Sequence, residues 1–176
     1  MFVKTEKGAL WMTSMVYNRQ RAVAFANRYW NSHHPGYLLF EDDCTNFVSQ
    51  CLYAGGMPMV FGSRKEGWWY RRDSRNHQWS FSWSVAHSLY LFLKKGGSTG
   101  RCRMVGSAGE LLLGDVICYD WEGDGRFNHN TIVTAYDADG QPLVNAHTQN
   151  SLHRRWEYRD SPAWTPQTRY VFFRIE

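Results

Sequence analysis

The spacing of apolar residues changes once along the chain, at Gly114, and that change restricts the fold more than any other feature. Before it the period is helical. From Asn18 to Trp30 apolar side chains stand at Ala22, Val23, Phe25, Ala26, Tyr29 and Trp30, the pattern of a helix with one buried face, and Asn18 is suited to cap its start. The string DDCTNFVSQCLYAGG predicts a second helix that opens at or beside Cys44, turns Phe47, Val48, Cys51 and Leu52 to one side, and stops at Gly55 and Gly56. A third helix is predicted from about Ser84 to Lys95, with Val85, Leu89, Phe92 and Leu93 inward and two lysines at its negative end. After Gly114 the runs DVICYDW, TIVTAY, PLVNAH and RYVFFRI read as strands, separated by turn signals at 122–125 and 137–140. Helices first and antiparallel strands afterwards describe an α+β domain, N-terminal helices packed on a C-terminal antiparallel β-sheet. The stretch from Pro58 to Phe81 follows neither period and reads as a long irregular connection, a kind that is often functional.

A chain of 176 residues suffices for one well-buried core and is short for two, so residues 1–176 are expected to form one domain. The net charge of +4 is spread along the chain apart from Arg64 to Arg75 and Arg154 to Arg155, too weak a bias to argue for nucleic acid. The four cysteines, Cys44, Cys51, Cys102 and Cys118, contain no C-x-x-C pair, which signals neither a zinc knuckle nor a disulfide framework. Reduced thiols are expected. The N-terminal residues contain no apolar run of signal-peptide length, and no stretch of about 18 apolar residues occurs, so neither secretion nor a membrane span is indicated. The cytoplasm is the default expectation.

Among the cysteines, position singles out Cys44. It alone opens a predicted helix, with Asp43 as N-cap, where backbone N–H groups and the helix dipole favour a thiolate and offer part of an oxyanion hole. Cys51 faces the core two turns on, and Cys118 lies inside an apolar strand. A thiolate needs a base, and the base an orienting partner. His129 begins the strand HNTIVTAY, and the turn at 137–140 brings PLVNAH back beside it. In that returning strand Asn145 and His147 share a face, and either could accept the ring N–H of His129. The remaining histidines, His33, His34, His77, His87 and His153, read as surface or core-edge residues.

The strings AVAFANRYW, DDCTNFVSQCLYAGG, FSWSVAHSL, GDVICYDWEGDGRFNHNTIVT and LVNAHTQN together resemble the putative amidase domain found mainly in Gram-positive bacteria. The similarity runs from about Tyr17 to Ser151. It implies a papain-like fold, Cys44 as nucleophile, His129 as general base, and a third polar residue on the next strand, His147 first and Asn145 second. The family's D-C-S-G style motif stands here as Asp43, Cys44, Thr45 and Asn46, with Asn in place of Gly. The resemblance further implies amide or peptide substrates, a peptidoglycan stem peptide among them, and an association with the cell envelope. No cofactor is required by such chemistry.

In that reading Asp43 caps the nucleophile helix and Asn46 or Thr45 ties its loop. The segment from Pro58 to Trp83 walls a substrate groove with Trp68, Trp69, Trp79 and Trp83, while Arg71 and Arg72 suit carboxylates. Three other readings compete. Asp120, Glu122, Asp124 and Gly125 match the start of a calcium loop, but Thr131 stands where the bidentate Glu belongs. A zinc hydrolase on His129 and His147 lacks a third ligand. A non-catalytic module holding peptide or glycan on the tryptophans would have no need of Cys44 and His129 together.

Overall fold

The computed structural model describes residues 16–73 and 76–176. The segment read for a leader and Arg75 lie outside the described residues. Helix α1 (Arg19–Tyr29) is capped by Asn18, whose side chain accepts from the Arg21 N–H at 2.9 Å. Helix α2 (Cys44–Ala54) ends at Gly55, which packs so closely on the Tyr17 ring that a Cβ there would run into it. Gly56, at φ 93°, then takes the left-handed turn that releases the chain.

The predicted connection from Pro58 to Phe81 contains a short hairpin of β1 (Tyr70–Arg72) and β2 (His77–Trp79). The predicted third helix is α4 (Ala86–Lys94), and a separate short helix, α3 (Phe81–Ser84), precedes it across Val85, which is extended at φ −115° and ψ 124° instead of turning inward within the helix. Strand β3 (Cys102–Val105) follows, and its short run carried no period long enough to announce it. Strands β4 (Val116–Asp120), β5 (His129–Tyr136), β6 (Pro142–Ala146), β7 (Ser151–Arg155) and β8 (Arg169–Ile175) complete one six-stranded antiparallel sheet, ordered β3-β8-β4-β5-β6-β7. The α+β expectation holds.

Two apolar clusters sandwich the sheet. On one face α1, α2 and α4 bury Ala22, Ala26, Phe47, Val48, Leu52 and Leu89 against Val116, Cys118, Ile132 and Phe173. On the other, Ile117, Tyr119, Val133 and Val144 pack with Trp121 and Tyr158. Period-2 alternation along β4 and β5 therefore divides each strand between two cores, which is why all five residues of β4 are buried. Among the described residues no helix is long and apolar enough to cross a membrane.

Candidate active site

Cys44 is the first residue of α2, as its place after Asp43 predicts, and it is buried. Cys51, Cys102 and Cys118 are also free and buried, all three within the helix-side core. Only Cys44 opens onto a cavity of about 500 Å³, whose wall includes Thr45, Val85, Trp121, Phe127, His129, Thr148 and Tyr158. The extended Val85 that divides α3 from α4 thus forms part of the wall, together with Ser84 and Ala86.

Two opposed effects act on the Cys44 thiol. Burial raises it above its ordinary value and is the larger effect; the Asn130 backbone N–H, the Thr45 and Thr148 hydroxyls and the Thr45 N–H pull it down. His129 sits at the head of β5 with its ring among Tyr119, Trp121 and Tyr158, at centroid distances of 5.4, 5.8 and 5.3 Å. Burial, reinforced by the positive charge of Arg154, holds its imidazole down at about 3. Its Nε2 is buried with no hydrogen-bond partner among the described residues. At neutral pH the site therefore holds a neutral thiol and a neutral imidazole. Among these effects burial is the largest, and it opposes the thiolate expected at a helix start.

His147 and Asn145 are not the orienting partners of His129. Asn145 stands opposite Ile132 in the β5-β6 register, and His129 lies an odd three residues before Ile132, so it points to the other face of the sheet. The side chains of Asn145 and His147 are also spent elsewhere. Asn145 donates to Asn27 and accepts from Thr134 and the His153 N–H. His147 stacks on Phe47, and its ring nitrogens meet the Asp43 carboxylate at 2.6 Å and the Tyr29 carbonyl at 2.7 Å. The same opposition of faces removes the zinc pairing of His129 with His147.

Asp43 does not cap α2 with its side chain. One oxygen accepts from the Phe40 N–H and the Asn46 amide, and the other meets His147. Asn46 is fully buried, donating also to the Leu38 carbonyl and accepting from the Trp83 indole at 2.8 Å. Both residues thus build the loop before Cys44 and not a surface for substrate. Trp83 and Trp68 are wholly buried in the helix-side core, and Trp69 lines a separate recess with Arg64, His77 and Trp79. The aromatic segment from Pro58 to Trp83 does not wall the cavity at Cys44, because its large rings are consumed in packing. Nor do Arg71 and Arg72 line it; Arg71 lies over the Phe61 and Trp69 rings.

Two residues that sequence reasoning passed over meet at the cysteine. Asn130 donates its side-chain amide to the Thr45 hydroxyl at 2.9 Å, and its own oxygen is buried with no partner among the described residues. Thr148, just beyond β6, accepts from the Asp43 and Cys44 N–H groups at 3.1 and 3.2 Å. Its only signal in sequence is a place after His147 in the turn run TQN, and no periodicity marks it. The suspected calcium loop is closed on itself: Asp120 is fully buried, and its carboxylate accepts from the Gly123, Asp124 and Gly125 N–H groups. Among the described residues no three His, Cys, Asp or Glu side chains are grouped so as to hold a metal ion.

The chain is similar to two curated Bacillus subtilis proteins. It is 52% identical over 160 residues to one named uncharacterized protein YhbB, covering 90% of this chain and 50% of that one. It is 29% identical over 150 residues to uncharacterized protein YjcM, covering 81% of this chain and 33% of the other. The chain thus spans half the length of the first relative and a third of the second. No solved structure matches. The family model described as a putative amidase domain matches residues 16–173, nearly all of the described chain, and the chain belongs to that family.

Proposed function

We propose that the chain is a cysteine-dependent hydrolase of amide or peptide bonds, built as one papain-like domain, with Cys44 as nucleophile and His129 as general base. The observation that carries this reading is the shared cavity: a cysteine on the first turn of an 11-residue helix and a histidine from the sheet open onto the same space of about 500 Å³. Membership in a family named for amidase activity supports it.

The resting pair is neutral, so the proton moves during attack. As the Cys44 sulfur bonds to the carbonyl carbon, its proton passes to His129, whose desolvated neutral ring is a competent acceptor once negative charge develops beside it. His129 then returns the proton to the departing nitrogen as the carbon–nitrogen bond breaks. Water, deprotonated by the same ring, hydrolyses the thioester and restores the thiol.

Walls of Trp121, Phe127, Val85 and Tyr158, with Asp42 as the one Asp or Glu and no Lys or Arg among the described residues, suit an uncharged acyl portion. A cell-wall stem peptide is the substrate class the resemblance implies, and its carboxylates would have to remain outside the cavity. The test is incubation with a panel of amides, peptides and muropeptides, followed by mass spectrometry of Cys44. Acyl adducts on Cys44 that disappear in Cys44→Ser and accumulate slowly in His129→Ala support the assignment. Turnover that survives Cys44→Ser would end it.

A further inference from the structure

We propose that the Thr148 hydroxyl is the donor that stabilises the oxyanion formed when Cys44 attacks an acyl carbon. This rests on the cysteine-hydrolase reading and deepens it. In a nucleophile placed at a helix start, the usual donor is the backbone N–H of the nucleophile itself. Here that N–H is already used: it donates to Thr148 Oγ1 at 3.2 Å, and the Asp43 N–H does the same at 3.1 Å. A hydroxyl has two acceptor sites and one proton. With both acceptor sites filled, Thr148 can act further only by donating.

Two N–H groups at the positive end of α2 polarise that O–H, making it a stronger donor than a free alcohol. In effect the hydroxyl carries the potential of the helix terminus one atom further into the cavity. Thr148 lines this cavity beside Cys44 and His129, and it is close enough to the sulfur to favour the thiolate.

The backbone supplies an independent observation. Thr148 has φ 77°, in the left-handed region that a β-branched residue rarely adopts. Such strain persists where surrounding structure holds it, and it collects at functional sites. A glycine would adopt this turn without strain; a threonine there places its hydroxyl on the helix terminus.

The bond changes balance as follows. The sulfur–carbon bond forms, the carbonyl electron pair moves onto oxygen, and Thr148 donates its hydrogen bond to that oxygen without losing the proton. When the pair returns, the bond to the leaving group breaks, and His129 supplies the proton that the leaving atom needs.

Two reagents separate this role from others. Acylation by p-nitrophenyl acetate passes through an oxyanion, and alkylation by iodoacetamide does not. Both rates would be measured at Cys44 in the wild type, Thr148→Gly, Thr148→Ser and Cys44→Ser. Thr148→Gly relieves the positive φ but leaves the Asp43 and Cys44 N–H groups without their acceptor, so its melting temperature is measured beside the rates, and Thr148→Ser, which keeps the hydroxyl, controls for the lost cap. The expected result is acylation slowed about 10²-fold in Thr148→Gly, alkylation changed far less, and acylation largely retained in Thr148→Ser. An equal fall in both rates would make Thr148 a support of the thiolate and overturn the proposal. Faster acylation would make it a plug on the Cys44 N–H, with the same consequence. If the wild type acylates and Thr148→Gly acylates as fast, the Thr148 assignment alone fails. If wild-type Cys44 alkylates but acylates no faster than the Cys44→Ser background, the hydrolase reading fails and takes this one with it.

Discussion

Cys44 and His129 are governed by desolvation, and desolvation moves their proton affinities in opposite directions. Burial raises the thiol and lowers the imidazole, so both favour the neutral form. Alkylation of Cys44 by iodoacetamide is therefore expected to keep rising through and beyond the pH at which an ordinary thiol ionises, about 8.5, with no plateau in the acid range; peptide mapping from pH 5 to 10 measures this. His129 also makes a prediction for stability. Its folded value of about 3 lies below the 6.5 of an unconstrained histidine, so the unfolded chain binds the proton more readily. Stability is complete above pH 6.5 and falls as pH drops toward 3, by a total on the order of a few kcal/mol from this residue. Urea midpoints of wild type and His129→Gln, compared across that window, should show the slope reduced in the variant.

At the scale of elements, the start of α2 is held by a buried chain of polar contacts. Trp83 donates to Asn46, Asn46 to Asp43, and Asp43 meets His147, whose other nitrogen reaches the end of α1 at Tyr29. Asp43, Asn46 and His147, the last of them expected to orient His129, thus fix the loop that presents Cys44. His147→Ala would leave the Asp43 carboxylate buried without that partner and is expected to cost about 3 kcal/mol, read as a lower urea midpoint. A residue whose sole role was to orient His129 would instead lower turnover and leave the midpoint unchanged. The odd offset between His129 and the Asn145 pairing position explains why spacing within one strand misled: alternation was right within each strand, but the register between strands decides which faces coincide.

For the molecule as a whole, Arg19 at the start of α1 joins distant parts of the chain. Its guanidinium donates to the Leu113 carbonyl, to Asp115 at 2.6 Å and to the Ile175 carbonyl, while Asp115 also accepts the Ile175 N–H at 3.0 Å. Burial raises the Asp115 carboxyl, opposed by these donors, so the aspartate depends on them to stay ionised. Arg19→Met should remove the partner of a buried carboxylate and lower stability by about 3 kcal/mol, with loosening of both α1 and β8 visible as faster amide exchange.

The sequence by itself determined the helices that begin at Arg19 and Cys44, the strands β4, β5, β6 and β8 and the α+β class, while β7 went unread, because apolar periodicity and caps are local properties. It also singled out Cys44 and His129, since a place at the head of an element can be read from turn residues beside a periodic run. Tertiary structure decided the rest. It gave the tryptophans of 58–83 to the core, turned His147 toward Asp43, set a separate short helix before Val85 and brought Thr148 onto the helix terminus. Each outcome depends on register or on competition for buried space between segments far apart in the chain, which no local pattern records.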